Sequence, residues 1–250
     1  MDNDILLKIV NLSKNYYNKE NEIKAIENLN INVKKNEILA IVGPSGCGKS
    51  TLLSILANLE KKTSGEIIKN KNLKLGYMLQ TDSLFPWLSI IDNILLGLNI
   101  QRKKTKENID KAINLLKKYG LYEFKDEYPN NLSGGMRQRV ALIRTLATNP
   151  DLLLLDEPYS ALDYQTRLAL SLDLYKIIKN EEKTAILITH DIAEAVSLAD
   201  RIIVLSKRPC TVKNIYNINL DNKTNPIDNR KDPKFNYYYD LIWRDLDVGI

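Results

Sequence analysis

The feature that most constrains the fold of this chain is a glycine-rich loop between an apolar run and a run of helix formers. This phosphate loop reads Gly43-Pro44-Ser45-Gly46-Cys47-Gly48-Lys49-Ser50 and fits the pattern G-x-x-x-x-G-K-S/T. Residues 38–42 before it suit a buried parallel strand, and residues 50–57 after it favour a helix. Such glycines let backbone N–H groups surround an anion, and the helix N-terminus adds partial positive charge. The sequence therefore predicts a strand, loop and helix that bind the phosphates of a nucleotide.

Two side chains of the phosphate loop have expected roles of their own. We expect Lys49 to reach the β- and γ-phosphates and the Ser50 hydroxyl to ligate Mg²⁺. Cys47 is expected to be a small filler whose backbone makes the contact, although alkylation of its thiol would block nucleotide binding. The predicted nucleotide-binding residues of this segment are Gly43, Pro44, Ser45, Gly46, Cys47, Gly48, Lys49, Ser50 and Thr51.

Two carboxylates follow four leucines at residues 152–155. A buried strand would bring Asp156 and Glu157 to the C-terminal edge of the sheet, where open α/β sheets bind ligands. Asp156 is expected to hold Mg²⁺ through water, and Glu157 is the candidate general base that polarises the attacking water. A solvated acidic turn is the alternative, and the phosphate loop upstream favours the catalytic interpretation.

Apolar patterns along the rest of the chain predict alternating strands and helices. The predicted strands are residues 6–12, 23–33, 38–42, 75–79, 152–155, 184–189 and 201–206, and the predicted helices are residues 163–179, 191–199 and 235–246. Helical patterns dominate between residues 83 and 149, which indicates an inserted helical lobe, and residues 221–232 are expected to form a loop. The alternation predicts an α/β fold with a parallel sheet covered on both faces.

Composition narrows the class of protein. A chain of 250 residues can bury the core of one substantial α/β domain, and its two cysteines, Cys47 and Cys210, indicate a reduced, intracellular protein. No apolar run approaches the roughly 20 residues needed to span a bilayer. The acidic, polar residues 1–4 lack the basic region of a signal peptide. The net charge of +5, from 36 basic and 31 acidic residues, is too small an excess to predict nucleic acid as a partner.

A second glycine-containing motif points to a family. This signature segment, Leu132-Ser133-Gly134-Gly135-Met136-Arg137-Gln138, resembles the LSGGQ-type signature of ABC ATPases, with Met136 in place of the commonest Gln. Ser133, Gly134 and Gly135, before a helix expected to begin near Met136, offer a hydroxyl and exposed N–H groups, which is a second anion site. In the family this segment faces the phosphate loop of a second subunit. The resemblance therefore implies a head-to-tail dimer of two copies that encloses two ATP molecules.

Further motifs of the family follow in its order, and the resemblance covers roughly residues 5–206. Gln80 resembles the Q-loop glutamine that touches Mg²⁺ or the lytic water. Ser160-Ala161-Leu162-Asp163 resembles the D-loop that crosses the dimer seam, so Asp163 is a candidate ATP-binding residue. His190 resembles the H-loop residue that contacts the γ-phosphate. With Glu157, the residues Gln80 and His190 complete the expected catalytic set.

One aromatic residue matches the position that stacks on adenine in the family. Tyr16 is the expected residue and Tyr17 the less favoured choice, and a packing role for either tyrosine stays open. The resemblance implies a P-loop NTPase core with a mostly parallel sheet, an N-terminal antiparallel β subdomain and an inserted α-helical subdomain. We expect one ABC ATPase domain, with the core in residues 1–81 and 150–220, the helical subdomain in 82–149, and a tail and helix in 221–250.

The segment after Gln80 resembles a subgroup of importers. Residues 81–94, with Phe85-Pro86-Trp87-Leu88, resemble the nitrate, sulfonate and taurine group, whose relatives also carry pyrimidine-type vitamin precursors. Residues 205–209 and Asp232-Pro233 are similar to the same group. The resemblance implies an ATPase subunit, peripheral on the cytoplasmic face of the membrane, that energises uptake. Its implied partners are a second copy, an integral membrane permease and, indirectly, a solute-binding protein.

Two alternatives stay open at this point. Phe85, Trp87 and Leu88 are also suited to be the small core of the helical lobe, since buried aromatics need no partner. A soluble single-cassette ABC ATPase that serves assembly rather than transport would share all the core motifs.

The basic residues between 101 and 118 are most simply a solvated helix face.

Overall fold

The computed structural model describes residues 4–17, 21–159, 162–221 and 223–246. Its strands are β1 (Ile5–Tyr17), β2 (Glu22–Lys34), β3 (Ile38–Val42), β4 (Ser64–Lys69), β5 (Leu75–Met78), β6 (Leu152–Asp156), β7 (Thr184–Ile188), β8 (Arg201–Leu205) and β9 (Val212–Asn217). Its helices are α1 (Lys49–Leu56), α2 (Ile90–Ile100), α3 (Lys106–Lys118), α4 (Gly134–Ala147), α5 (Tyr164–Asn180), α6 (Ile192–Leu198), α7 (Pro226–Asn229) and α8 (Pro233–Asp245). The strands form a three-stranded sheet of order β2-β1-β4 and a six-stranded sheet of order β5-β6-β7-β3-β8-β9.

The larger sheet brings three chain segments to one edge. Strands β5, β6, β7, β3 and β8 pair in parallel, and β9 pairs antiparallel with β8 at the edge of the sheet. Because β7 lies between β6 and β3, the residues that follow these three strands emerge side by side. The fold is therefore α/β with a mostly parallel sheet, as the sequence predicts.

The two faces of the larger sheet are covered by different layers. Along β6, Leu152 and Leu154 pack in the cluster that contains α1 and the antiparallel sheet, whereas Leu153 and Leu155 pack against the helices of the other face. Alternation of this kind is the period of a strand, and here both faces are apolar because both are covered. Full burial of each such side chain stabilises the fold by about 1.5–3 kcal/mol.

Helices α2, α3 and α4 share a hydrophobic cluster of their own. Asn93, which is fully buried, organises the segment before α2: its Oδ1 accepts from the Phe85 amide at 2.8 Å. Its Nδ2 donates to the carbonyl oxygens of Phe85, Leu88 and Ser89 at 3.0–3.1 Å. A single buried amide therefore fixes the shape of residues 85–89. The expected division of the chain into subdomains stays a prediction.

Some elements differ from the expected ones. Strands β4 and β9 were not predicted from the sequence, and residues 221–232, expected to form a loop, contain the short helix α7, which Asn225 caps by accepting from the amides of Ile227 and Asp228. Helix α4 begins at Gly134 rather than near Met136 because the Ser133 side chain caps it. Within the described ranges no helix combines the length and the apolar character needed to cross a bilayer.

Candidate functional site

Part of the predicted catalytic and nucleotide-binding set lines a cavity of about 440 Å³ beside the phosphate loop. Its wall includes Tyr16 from the end of β1, Gln80 after β5 and Glu157 after β6. Most of the phosphate loop contributes as well, through Ser45, Gly46, Gly48, Lys49, Ser50 and Thr51. The cavity has the volume typical of small-molecule and cofactor sites.

The phosphate loop is shaped by glycine conformations and by one buried cation. Gly48 has a φ of +126°, and a Cβ there would lie 3.1 Å from the carbonyl oxygen of Ala25. Lys49 is 6% exposed, and its Nζ donates to the carbonyl oxygens of Gly43 at 2.8 Å and Pro44 at 3.0 Å. Gly48 also begins α1 without a side-chain cap, as far as the described residues show. The first N–H groups of α1 are thus left for an anion, which the helix dipole favours.

Two of the candidate metal ligands, Ser50 and Asp156, are in direct contact. Ser50 Oγ donates to Asp156 Oδ1 at 3.2 Å, and Tyr77 Oη donates to Asp156 Oδ2 at 3.4 Å. Burial raises the pKa of Asp156 above its ordinary value, so a cation at this carboxylate would stabilise its charged form. The hydroxyl of Ser50, the carboxylate of Asp156 and the amide oxygen of Gln80 are hard donors, and these fit Mg²⁺.

Two of the expected catalytic residues, Gln80 and His190, converge on one carboxylate oxygen of the third, Glu157. Glu157 Oε2 accepts from Gln80 Nε2 at 3.2 Å and lies 3.1 Å from His190 Nδ1. The tautomer of His190 with a proton on Nδ1 donates to this oxygen. Glu157 has a φ of +44°, a left-handed conformation that is uncommon for a residue with a side chain, and its amide donates to the carbonyl oxygen of Ile188. The backbone therefore holds this carboxylate in a strained conformation, which is typical of functional sites.

A group of buried polar residues behind His190 was missed by sequence reasoning. Asp191 accepts from the amide of Glu194 at 3.0 Å and pairs with Arg167 Nη1 at 3.0 Å. Glu194 is almost completely buried, and burial raises its pKa to about 7, with a smaller opposing effect from Thr189. The sequence feature that could have identified Glu194 is its position four residues after His190, on the first turn of α6.

Tyr16 and Arg208 lie at opposite ends of the sequence and line the same cavity. Lys14 Nζ lies 4.6 Å from the centroid of the Tyr16 ring, which is 39% exposed. Tyr17 is 72% exposed and is not part of the cavity wall, so of the two tyrosines Tyr16 is the one that lines the cavity. Arg208 Nη2 donates to the carbonyl oxygen of Gly46 at 2.5 Å. The resemblance of residues 205–209 to an importer subgroup gave Arg208 no role at this cavity, because its contact depends on where the β8–β9 connection lies.

The signature segment is separate from this cavity. Ser133, Gly134 and Gly135 are not among the residues that line it. Ser133 Oγ accepts from the Met136 amide at 3.3 Å, and Gly135 lies so close to α5 that a Cβ would meet Thr166 Cγ2 at 2.6 Å. Arg137 fixes the segment by pairing with Asp82 at 2.9 Å. Within one chain, the two predicted anion sites are therefore not brought together.

The D-loop motif is described only in part. Ser160 and Ala161 lie outside the described residues. Asp163 is the N-cap of α5, where its Oδ1 accepts from the Thr166 amide at 3.0 Å. This hydrogen bond lowers the pKa of the Asp163 carboxyl. Its role towards ATP stays a prediction.

Comparison with known sequences finds a matching family profile and several relatives of this chain. A family profile described as "ABC transporter" matches residues 26–160. An uncharacterized ABC transporter ATP-binding protein of Bacillus subtilis (strain 168) is 42% identical over 96% of this chain and 95% of its own length. The nitrate import ATP-binding protein of Synechocystis sp. is 39% identical over 94% of this chain and 93% of its own length. The formylaminopyrimidine import ATP-binding protein of Halalkalibacterium halodurans is 43% identical over 74% of each chain.

A solved structure is also similar over most of the chain. It is the dimer of an ATP-binding cassette in a post-hydrolysis state, bound to ADP and phosphate. The TM-score is 0.75 and the sequence identity 36%, over 86% of this chain and 99% of the other.

Proposed function

The chain belongs to the ABC transporter family of ATP-binding proteins, and from that premise we propose that it is the ATP-hydrolysing subunit of an importer for a small solute. The observation that carries this proposal is the convergence of Lys49, Gln80 and Glu157 on one cavity, with the Gln80 and His190 side chains on a single oxygen of Glu157. The names of the relatives support uptake of a solute such as nitrate, a sulfonate or a pyrimidine vitamin precursor.

Binding of ATP uses the phosphate loop. Lys49 Nζ is held by the carbonyl oxygens of Gly43 and Pro44, from which it can turn to the β- and γ-phosphates. Ser50, Asp156 and Gln80 would hold Mg²⁺, which neutralises phosphate charge when bound. The ring of Tyr16 would cover the adenine at the open end of the cavity.

Hydrolysis requires an acceptor for the proton of water. In this proposal Glu157 accepts that proton while the water oxygen attacks the γ-phosphorus and the bond to the β-phosphate oxygen breaks. His190 and Gln80 hold the carboxylate until substrate arrives. His190 then donates to the γ-phosphate oxygens, where charge is stabilised in the transition state.

A second copy of the chain would complete each site. The separation of the signature segment from the cavity supports a head-to-tail dimer in which Ser133, Gly134 and Gly135 of one subunit bind the ATP held by the other. The similarity to a dimeric cassette supports the same arrangement. ATP would bridge the two subunits, and hydrolysis would remove that bridge.

Residues 85–88 are the proposed contact with a membrane permease. Trp87 is 69% exposed, and its ring lies 5.1 Å from that of Phe85. An exposed aromatic pair on a segment fixed by Asn93 suits a partner surface better than the core of the helical lobe. We place the subunit on the cytoplasmic face of the membrane, with a solute-binding protein as an indirect partner.

The proposal is tested in two steps. Purified protein should hydrolyse MgATP, and a Glu157→Gln variant should bind ATP, stop turnover and form an ATP-dependent dimer. Affinity purification from membranes should then recover a polytopic membrane protein, and Trp87→Ala should lose it while keeping ATPase activity. Absence of hydrolysis and of an ATP-dependent dimer in the presence of that membrane protein would contradict the proposal. Recovery of only soluble partners would favour the assembly ATPase instead.

A further inference from the structure

The two cysteines of the chain meet beneath the phosphate loop. Cys47, within the loop, and Cys210, after β8, are both almost completely buried, and each thiol shifts the pKa of the other. They belong to the same hydrophobic cluster, and a Cβ on Gly48 would lie only 3.5 Å from Cys210 Cβ. The nucleotide site proposed above uses the backbone of Cys47 and leaves both thiols without a role.

The backbone around Cys210 holds its thiol in this position. The Cys210 amide donates to the carbonyl oxygen of Ala25 at 3.0 Å, and its carbonyl oxygen accepts from the Glu27 amide at 3.1 Å. Arg208 ties the same connection to the carbonyl oxygen of Gly46 on the far side of Cys47. Three parts of the fold thus converge: β2, the phosphate loop and the β8–β9 connection.

We propose that Cys47 and Cys210 form a reversible redox site, in which oxidation to a disulfide distorts the phosphate loop and lowers its affinity for ATP. The geometry that carries this inference is the burial of both cysteines in one cluster, with Cys210 Cβ next to Gly48, the residue that follows Cys47 in the phosphate loop. Cytosolic disulfides are usually transient and redox-sensing, and the pair belongs to that class.

Cys47 is the thiol that reacts first. The hydrogen bond from Cys210 holds the pKa of Cys47 below its ordinary value, with Lys49 acting in the same direction and burial opposing it. The same hydrogen bond raises the pKa of Cys210, with burial as the second cause. A thiolate near a lysine and a helix N-terminus is the usual setting of a reactive cysteine. Cys210 is therefore the resolving thiol.

The oxidant in this proposal is a peroxide. The Cys47 thiolate attacks one peroxide oxygen, the O–O bond breaks, and hydroxide leaves and is protonated to water, which gives a sulfenic acid. Cys210 then attacks the Cys47 sulfur as a thiolate, the S–O bond breaks, and the leaving hydroxide takes up the thiol proton as a second water. In total, two electrons pass from the thiols to the peroxide. A dithiol reductant reverses the change by thiol–disulfide exchange.

The predicted loss of ATP affinity follows from the distance that the two sulfurs must move to form a disulfide. A disulfide requires a sulfur–sulfur distance of about 2.05 Å, much shorter than a hydrogen bond between thiols. The sulfurs must therefore approach, and the loop is displaced because backbone hydrogen bonds to β2 fix Cys210. Displacement of the N–H groups lengthens their hydrogen bonds to the phosphates, and loss of one hydrogen bond to a charged group lowers affinity by roughly tenfold or more. This step rests on the proposed function, whereas formation of the disulfide does not.

The experiment treats the full-length protein with hydrogen peroxide and maps its peptides without reduction. We expect a peptide that links Cys47 to Cys210 in the monomer and at least about a tenfold loss of MgATP affinity, both reversed by dithiothreitol. Prior binding of MgATP should slow the reaction. The matched control is Cys210→Ala, which keeps the backbone hydrogen bonds, and Cys210→Ser repeats it if the first variant is unstable. Without a resolving thiol, neither variant should give the linked peptide, and continued exposure to peroxide should oxidise Cys47 further and make any loss of affinity irreversible.

Each other result decides against the proposal. Absence of the linked peptide after oxidation overturns the redox site. A linked peptide with unchanged MgATP affinity overturns the control of the phosphate loop. The same reversible loss in Cys210→Ala and in the parent protein shows that Cys210 is not the resolving thiol. Failure of the reduced protein to bind MgATP would contradict the proposed function, and the peptide map would still decide whether the disulfide forms.

Discussion

The phosphate loop and the signature segment each lead into the N-terminus of a helix, but the two termini differ in their side-chain capping and in whether they face a cavity. Helix α1 begins at Gly48, has no side-chain cap within the described part of the chain, and opens onto a cavity. Helix α4 begins after Ser133, whose own hydroxyl accepts from the Met136 amide. Ser133 is exposed and outside that cavity. The first terminus is ready for an anion within one chain, whereas the second becomes a site only when another surface faces it.

The largest predicted effect concerns the carboxylate at the phosphate-loop end. Glu157→Gln should lower kcat by about 10²–10⁴-fold, because an amide cannot accept the proton of the attacking water. Affinity for ATP should stay within a few-fold, since Lys49 and the loop are unchanged. Phosphate release and oligomer mass with MgATP give the measurement, and the exposed Glu123→Gln is the control for loss of one charge. Turnover at the parental rate would show that Glu157 is not the base.

The next prediction tests this comparison by substituting one residue in the phosphate loop and one in the signature segment. Lys49→Ala and Ser133→Ala should each lower ATPase activity on the order of 100-fold. Mixing the two variants should restore activity, because a head-to-tail heterodimer contains one site with neither defect.

A helix cap elsewhere in the chain provides the control for this experiment. Thr105 caps α3 as Ser133 caps α4, so Thr105→Ala should cost a similar ~1 kcal/mol of stability without affecting activity. No gain of activity on mixing Lys49→Ala with Ser133→Ala would contradict a site shared between subunits.

A smaller effect is expected for the buried carboxyl behind His190. The pKa of Glu194 is raised from 4.5 to about 7 in the folded protein, mainly by burial. The folded state therefore binds a proton that the unfolded state has lost between these values, and Glu194 destabilises the fold increasingly as pH rises through that window. Glu194→Gln should then raise the free energy of unfolding at pH 8 by up to on the order of 3 kcal/mol. The gain should vanish below about pH 4.5.

Denaturant unfolding across this pH range measures the effect. Glu66→Gln on β4, at an exposed position, is the control for loss of one carboxylate. Equal stability of Glu194→Gln and the parent protein at every pH would mean that the folded protein keeps Glu194 ionised without cost.

The smallest effect is expected at the open end of the cavity. Tyr16→Ala should weaken ATP binding by about threefold to tenfold, consistent with loss of an aromatic contact worth 0.5–1.5 kcal/mol. Tyr17→Ala is the matched control and should leave affinity unchanged, because Tyr17 lies outside the cavity wall. Titration with MgATP distinguishes the two. A larger loss for Tyr17→Ala would reverse the choice of stacking residue.

Residues adjacent in sequence to a motif were easier to predict than residues that reach it through space. The strand, loop and helix around Lys49 and the carboxylates after β6 follow from local patterns of glycine, charge and hydrophobicity. Strands β4 and β9 were missed because they are half exposed and carry no continuous apolar run. Tyr77 and Arg208 were missed because nothing in their neighbouring sequence indicates what they contact.

The sequence by itself determined the class of fold, the family and the residues of each motif, because backbone preference, burial period and glycine-dependent loops are local properties. Only the tertiary structure decided that Gln80 and His190 share an oxygen of Glu157, and that Cys47 meets Cys210. These contacts depend on β7 lying between β6 and β3 and on the return of the chain after β8 to β2. Strand order and the path of such a connection are set by the packing of the whole chain, which no local pattern records.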